Sequence, residues 1–84
     1  MDYKIEFKAS VKKDIKKLSK DRITEILNKI ETQLPQIAFH QPSLKGKFKH
    51  LKKYRIGDFR VIYTIVEDTI LILRIADRKD VYRK

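Results

Sequence analysis

Residues 51–66 read LKKYRIGDFRVIYTIV, and this stretch decides the fold. Its aromatic and β-branched residues favour extended chain on both sides of Gly57-Asp58, a plausible two-residue hairpin turn. The sequence therefore predicts strands over 51–56 and 59–66. A third run of the same character predicts a strand over 70–76, so the C-terminal half is expected to form three consecutive antiparallel strands.

The two-residue turn fixes which side chains share a face of the first hairpin. Arg55 then opposes Arg60 on the neighbouring strand. Two positions further from the turn, Lys53 opposes Ile62. The other face of the hairpin is apolar and holds Tyr54, Ile56, Phe59, Val61, Tyr63 and Ile65.

The length of the second turn decides which face Arg74 occupies. A two-residue loop would direct Arg74 into the core, and burying an unpaired guanidinium is very costly. We therefore predict a three-residue loop at 67–69, which sets Val66 opposite Ile70 and places Arg74 opposite Ile62. That register puts three aliphatic side chains of the last strand on the apolar face, namely Leu71, Leu73 and Ile75.

The predicted register gathers four cations on the open face of the sheet, and we call them the basic cluster: Lys53, Arg55, Arg60 and Arg74. Like charges side by side destabilise a sheet unless something anionic meets them. Simple solvation is the alternative for any one of these residues. For the group, the pattern favours an anionic partner, and RNA phosphates fit such a surface.

The N-terminal half alternates apolar and polar residues over 3–8, which predicts a strand. Ser10 is the predicted N-cap of a first helix, and Asp21 the predicted N-cap of a second. Pro35 is expected to end the second helix, so residues 36–43 are predicted to be a loop. The apolar stripes of the two helices are Val11, Ile15 and Leu18 in the first and Ile23, Ile26, Leu27, Ile30 and Leu34 in the second.

These elements predict an α+β fold with the order β-α-α-β-β-β, in which a helical hairpin packs on one face of a small, mainly antiparallel sheet. At 84 residues the chain is expected to form one domain over 1–84. It contains no cysteine, and 42% of its residues are hydrophobic. The absence of cysteine, of a signal-like segment and of a long apolar run predicts a cytoplasmic protein.

The net charge of +10 is unevenly distributed. Residues 1–42 carry nine basic and six acidic side chains, whereas residues 43–84 carry twelve and five. The excess favours a polyanion or an acidic protein as partner, with the contact surface in the C-terminal half. The two histidines and the scattered carboxylates predict neither a metal site nor a cofactor.

The segments YRIGDFRVIY (54–63), LRI (73–75) and RKDVY (78–82) resemble the RelE/ParE superfamily of toxins from type II toxin–antitoxin modules, as does the Leu44-Lys45-Gly46 entry to the sheet. The resemblance implies a toxin that is held inactive by an acidic, RelB-like antitoxin. RelE-like members cut mRNA in the ribosome, and we favour that branch. ParE-like members inhibit DNA gyrase, and a weakened toxin that still binds its antitoxin is a third reading.

The resemblance also implies roles for individual residues. Arg60 matches the arginine that contacts the scissile phosphate, and Lys53 matches the second of two active-site lysines. The first of those lysines aligns with Leu51, so the sequence departs from the family pattern there. Arg78 and Tyr82 match the C-terminal arginine and tyrosine.

Metal-independent RNA cleavage of this kind needs a base for the 2′-hydroxyl, a cation for the phosphorane and an acid for the 5′-oxygen. We predict Lys53 as the base, Arg60 and Arg78 as the phosphorane cations, and Tyr82 as a proton donor or base-stacking residue. His50 is a weaker candidate for acid–base work. Phosphate contacts without sequence preference are predicted for Lys45, Lys47, Lys49, Lys52, Arg55 and Arg74.

Overall fold

The computed structural model describes residues 3–77. The strands in this part of the chain are β1 (Lys4–Phe7), β2 (Lys52–Ile56), β3 (Phe59–Val66) and β4 (Thr69–Asp77). They form one sheet in the order β1-β4-β3-β2, with β1 parallel to β4 and the other pairs antiparallel. The predicted strands and the mainly antiparallel sheet are therefore confirmed.

The helices are α1 (Ala9–Lys16), α2 (Lys20–Thr32) and the short α3 (Leu34–Ile37), which continues into a 3₁₀ turn over Ala38–His40. A second 3₁₀ turn, Gly46–Phe48, precedes β2. Val11, Ile26, Ile30 and Leu34 are fully buried against the apolar face of the sheet. The predicted α+β arrangement is confirmed, and no helix within 3–77 is long and apolar enough to cross a bilayer.

Both predicted helix caps are wrong. The first helix begins at Ala9, and the hydroxyl of Ser10 instead donates a hydrogen bond to the Leu73 carbonyl oxygen at 2.8 Å. The second helix is capped by Ser19, whose hydroxyl accepts from the Arg22 amide at 3.4 Å, while Asp21 lies in the first turn. Ser10 bonds a distant strand, an interaction that local sequence does not reveal.

The loop predicted from residue 36 onward is wrong as far as residue 40. Pro35 lies at the start of α3, where its missing N–H would have had no helical partner and its fixed φ suits the first turn. The proline therefore begins a new helical turn after α2 ends. This extension places the Ala38 carbonyl over the sheet, where it accepts a 2.6 Å hydrogen bond from the buried Tyr63 hydroxyl.

The register of the first hairpin is confirmed. Ile56 opposes Phe59 across the Gly57-Asp58 turn, and Arg55 opposes Arg60. Gly57 has a φ of +57°, a left-handed conformation that glycine adopts without a steric penalty. The predicted apolar face is confirmed as well, because Tyr54, Ile56, Phe59, Val61 and Tyr63 are all buried.

The second hairpin differs from the prediction in its turn. Val66 opposes Thr69, so the loop has two residues, Glu67 and Asp68. A β-bulge at Leu73 then shifts the register by one, since Tyr63 opposes Ile72 but Ile62 opposes Arg74. The predicted partner of Arg74 is therefore right, although the turn that was expected to produce it is wrong.

The bulge also changes which aliphatic residues of β4 enter the core. Before the bulge, Ile70 and Ile72 are fully buried, whereas Leu71 and Leu73 are only half-buried. The prediction that Leu71 and Leu73 lie on the apolar face is thus wrong. After the bulge, Ile75 is buried as predicted.

Candidate nucleic-acid interface

The basic cluster occupies two neighbouring rows that cross β2, β3 and β4. One row contains Arg55, Arg60 and Ala76, which are successive partners in the strand register. The next row contains Lys53, Ile62 and Arg74. Directly opposed side chains in antiparallel strands have Cβ atoms about 5 Å apart, so the structure brings the predicted cations onto one surface.

Three members of the basic cluster have no anionic partner within residues 3–77. Arg55 is exposed, and Lys53 and Arg60 are half-buried. The ion pairs found in this part of the chain are Arg22 with Glu25 and Arg74 with Asp14, so neither involves these three cations. Their charges are therefore available to an anion that approaches the open face.

Arg74 differs from the other three because it is held by a buried carboxylate. Its Nε atom donates to Asp14 Oδ2 at 3.0 Å, and its Nη2 atom donates to Asp14 Oδ1 at 3.2 Å. These hydrogen bonds and the charge of Asp14 raise the pKa of Arg74 above its ordinary value. The guanidinium keeps Nη1 free of this pair, so one side of it remains able to donate to a ligand.

Asp14 and Ser10 explain why the bulge at Leu73 is stable. Strand β1 pairs with β4 only as far as Ile72, so the backbone groups beyond it need other partners. Ser10 donates to the Leu73 carbonyl oxygen, and Asp14 Oδ2 accepts from the buried Ile75 amide at 2.9 Å. Beyond Ile72, side chains of helix α1 therefore supply the hydrogen-bond partners along this edge of β4, and they stabilise the bulge that places Arg74 on the open face.

Sequence reasoning missed Asp14, although a signal was present. Residues 11, 14, 15 and 18 have the 3-and-4 spacing of one helix face, so Asp14 lies on the apolar stripe of α1. It is 8% exposed. A carboxylate at such a position needs hydrogen-bond donors, and the Arg74 guanidinium and the Ile75 amide of β4 supply them.

The lysines predicted to contact phosphates lie in a loop around the Gly46–Phe48 turn. Lys45, Lys47 and Lys49 are exposed. Lys52 behaves differently, because it lies in β2 opposite Tyr63, on the other face from Lys53. Its ammonium donates to the Gln41 carbonyl oxygen at 2.9 Å, so it holds the loop onto the sheet.

The remaining predicted positions are distributed as follows. Leu51, which stands where the family pattern has a lysine, is half-buried next to β2. His50 is exposed, and its backbone carbonyl accepts a 3.1 Å hydrogen bond from the Thr64 hydroxyl. Arg78 and Tyr82 lie outside the described residues.

Other surfaces within 3–77 offer less for chemistry. A groove of about 650 Å³ lies between Tyr3, which precedes β1, and the α2–α3 region, with Pro35, Phe39 and His40 also in its lining. In the described part of the chain, no three histidine or carboxylate side chains come together as a metal site would need. The open face of the sheet is therefore the candidate site, and its charge suits a phosphate backbone.

Comparison with solved structures shows the same fold in toxin–antitoxin proteins. The RelBE2 complex of Mycobacterium tuberculosis matches with 21% identity and a TM-score of 0.86, over 93% of this chain and 100% of that chain. The chromosomal ParDE system of P. aeruginosa matches with 12% identity and a TM-score of 0.74, over 89% and 95%. A mutant of E. coli toxin RelE, in complex with a peptide of antitoxin RelB, matches with 20% identity and a TM-score of 0.69, over 98% and 92%.

At these sequence identities the solved structures show only a shared fold, so the family assignment rests on the comparison of the sequence with a family model. No curated protein matches the chain. The family model described as the ParE toxin of the type II toxin–antitoxin system parDE matches residues 5–82, nearly the whole sequence. The predicted membership of the RelE/ParE superfamily is thus confirmed, and the chain belongs to the ParE toxin family of type II toxin–antitoxin systems.

Proposed function

We propose that this toxin is an endoribonuclease that cleaves mRNA in the ribosome and holds the scissile phosphate on its basic cluster. The observation that carries the proposal is the register of the first hairpin. It sets Arg55 beside Arg60, one row from Lys53, and none of these three has a paired carboxylate within residues 3–77. Adjacent unpaired cations destabilise the sheet, and a bound phosphate would offset that cost.

In the proposed reaction the RNA supplies its own nucleophile. Lys53 Nζ, in its neutral form, takes the proton of a 2′-hydroxyl, and that oxygen attacks the adjacent phosphorus. The bond from phosphorus to the 5′-oxygen breaks, which leaves a 2′,3′-cyclic phosphate and a free 5′-hydroxyl. Arg60 neutralises the phosphorane oxygens, because its planar fork can hold two of them.

The other roles in this proposal come from the family resemblance. Arg78 would share the charge of the phosphorane with Arg60. Tyr82 would donate the proton that the departing 5′-oxygen takes up. If Tyr82 stacks on a base beside the cleavage site instead, the proton that Lys53 accepted would pass to the 5′-oxygen. Lys45, Lys47 and Lys49 would contact backbone phosphates further along the mRNA, which gives affinity without sequence preference.

The role of Lys53 can be separated from its charge by one substitution. Lys53→Arg keeps a cation on the open face, but a guanidinium does not lose its proton at neutral pH. A lysine acts as a base only in its neutral form. If Lys53 is the base, Lys53→Arg lowers single-turnover cleavage of mRNA in programmed ribosomes about 10²- to 10⁴-fold while ribosome binding is retained. Cleavage at the wild-type rate would assign Lys53 to phosphate binding alone.

The role of Arg60 is tested in cells and in the same ribosome assay. Expression of the wild-type protein alone is expected to stop growth, and primer extension should then show breaks inside translated codons. Arg60→Ala is expected to lower cleavage about 10²-fold or more, through lost stabilisation of the phosphorane. Arg22→Ala is the matched control, because it removes an arginine from α2, where the side chain lies over the Phe59 ring on the core side.

Gyrase inhibition is the second candidate, and the match to the ParE family model is the observation that favours it. That activity needs no bond to be broken by the toxin. Its signature is trapped gyrase–DNA complexes and loss of supercoiling while mRNA stays intact. That result would replace the nuclease proposal, and an absence of both effects would indicate a toxin that only binds its antitoxin.

We further propose an acidic antitoxin as the protein partner. The RelBE2 and RelE–RelB structures are complexes of a toxin with an antitoxin, and this chain carries a net charge of +10. An acidic segment that covers the basic cluster would block phosphate binding. Co-expression of the protein encoded by the neighbouring reading frame should therefore restore growth, and Arg55→Glu should weaken the complex.

A further inference from the structure

Phe48 is an exposed aromatic side chain in the lysine-rich loop, residues 45–50. It is not part of the basic cluster, and the proposed cleavage reaction does not use it. Its side chain is 48% exposed, and it lies between the exposed Lys47 and Lys49. The Lys47 ammonium is 5.5 Å from the centroid of the Phe48 ring. Proteins that bind single-stranded nucleic acids combine these two features, cations for the phosphates and aromatic rings on which bases stack.

The backbone that carries Phe48 is held in place by several hydrogen bonds. The Phe48 carbonyl oxygen accepts from the Leu51 amide at 2.9 Å, which closes the turn. The base of the loop is a short extension of the sheet, since the Leu44 amide donates to the Leu51 carbonyl oxygen at 2.9 Å. Gly46 has a φ of +69°, which lets the chain reverse direction between the two halves of the loop. The ring is therefore presented by ordered backbone, and binding would not have to order a flexible loop.

The loop lies next to the open face of the sheet. The Thr64 hydroxyl, two positions along β3 from Ile62 and thus on the same face, donates to the His50 carbonyl oxygen. The Lys53 amide donates to the Pro42 carbonyl oxygen at 3.1 Å. These contacts fix the loop beside the row that contains Lys53. A single strand whose phosphate lies on the basic cluster would pass the loop within a few nucleotides.

We propose that Phe48 is a stacking platform for an unpaired base of the RNA whose backbone the basic cluster holds. This inference rests on the proposed function, because it names a second contact with the same substrate. A nucleotide offers an anionic phosphate next to an aromatic base, which matches a ring with the Lys47 ammonium beside it. Stacking is tolerant of sequence, so Phe48 adds affinity for single strands without selecting a codon.

The chain provides a matched control for this test. Phe39 is 68% exposed, but it lies in the 3₁₀ turn after α3 and lines the groove on the helical side. Leucine at either position keeps an apolar side chain and removes the ring. The probe is a short single-stranded RNA in which 2′-O-methyl groups block cleavage, and its affinity is measured at several salt concentrations.

Phe48→Leu is expected to weaken binding roughly 5- to 100-fold, and Phe48→Tyr and Phe39→Leu should bind like the wild type. The slope of log K against log salt should stay unchanged in Phe48→Leu. Lys47→Gln, which removes a charge, should reduce that slope by about 0.7 if Lys47 contacts a phosphate of the single strand. A loop that had merely lost its structure would also lose phosphate contacts, and its slope would fall.

Fluorescence gives a direct readout because the sequence contains no tryptophan. Phe48→Trp is expected to be quenched by the RNA through stacking, whereas Phe39→Trp is not. Wild-type affinity in Phe48→Leu would overturn the inference, and so would quenching of Phe48→Trp by the antitoxin but not by RNA.

The outcomes separate this inference from the proposed function. RNA binding that depends on Arg60 but not on Phe48 overturns the stacking platform and leaves the nuclease proposal intact. Binding that depends on Phe48 in a protein that cuts no mRNA supports the platform and rejects the nuclease. A wild-type protein that neither binds RNA nor cleaves mRNA contradicts both.

Discussion

Removal of the Asp14 carboxylate is the sharpest test of how α1 holds the sheet. The side chain accepts two hydrogen bonds from Arg74 and one from the Ile75 amide. Asp14→Ala removes both carboxylate oxygens and therefore all three hydrogen bonds. Asp14→Asn can keep an oxygen at the position of Oδ2, where it still accepts from Ile75, but its amide group then faces an Arg74 donor.

The loss of stability expected for Asp14→Ala depends on how exposed each of the two donor residues, Arg74 and Ile75, is. A buried amide that loses its acceptor costs about 1–3 kcal/mol, and the Ile75 amide is buried. The Arg74 side chain is 56% exposed, so water screens its ion pair to about 0.2–1 kcal/mol. Alanine regains about 0.5 kcal/mol through its higher helix propensity. The expected net cost of Asp14→Ala is therefore about 2 kcal/mol.

Two further substitutions measure separately how much of this loss of stability comes from the Arg74 ion pair and how much from the Ile75 amide. Arg74→Ala removes the ion pair but leaves the bond to Ile75, so it should cost less than about 1 kcal/mol. Asp14→Asn should also cost about 1 kcal/mol, because it loses the negative charge and the oxygen that accepts from Arg74 Nη2 but keeps the hydrogen bond from the Ile75 amide. The expected order of destabilisation places Asp14→Ala clearly above both other variants.

Urea unfolding followed by far-ultraviolet circular dichroism measures these differences. For a domain of this size, 2 kcal/mol corresponds to a lower Tm by about 8–16 °C. High salt should remove most of the Arg74→Ala effect and little of the Asp14→Ala effect, because screening acts on the exposed pair. Equal costs for Asp14→Ala and Arg74→Ala would refute the reasoning, since the Ile75 amide would then contribute nothing.

Three further predictions follow from the fold. Burial, and secondarily Tyr54, raises the pKa of the Tyr63 hydroxyl above its ordinary value of 10.0. The contribution of the protonated hydroxyl to the free energy of unfolding is therefore complete below about pH 10 and is lost as the pH rises above that. The urea midpoint should therefore fall less between pH 8 and pH 11 in Tyr63→Phe than in the wild type, although the variant is itself destabilised by about 1–3 kcal/mol at pH 8. An equal fall in both proteins would contradict this role of Tyr63. Glu67 has a φ of +57°, so Glu67→Gly should raise the free energy of unfolding by about 1 kcal/mol, and a loss of stability would show that the turn is unstrained. Arg55→Ser should raise Tm at low salt by relieving repulsion from Arg60 while weakening RNA binding, and a salt-independent change would argue against repulsion as the cause.

The sequence determined the first hairpin and the character of its two faces. The two-residue turn at Gly57-Asp58 is a local signal, and alternation along the flanking strands then fixes every pairing up to Lys53. These interactions connect residues close in sequence, so they require no knowledge of the rest of the chain. The basic pair Arg55 and Arg60 could therefore be placed side by side from sequence alone.

The position of Arg74 was decided by tertiary structure. The two-residue turn at Glu67-Asp68 would have directed it into the core, and the bulge at Leu73 returned it to the open face. That bulge depends on Ser10 and Asp14, which are more than sixty residues away in sequence. The cost of burying a guanidinium predicted the correct face, but no local pattern shows which distortion achieves it.

The same distinction applies to the candidate site as a whole. Composition and strand register determined that cations would share a surface, because charge and alternation are properties of the sequence itself. Tertiary contacts decided which cations remain available. The Lys52 ammonium, which alternation directs to the other face, donates to the Gln41 carbonyl oxygen, and Arg74 is paired with Asp14, while Lys53, Arg55 and Arg60 keep their charge unpaired within residues 3–77. Side chains find such partners only after helices and sheet have packed, since the partners lie on elements that are distant in sequence.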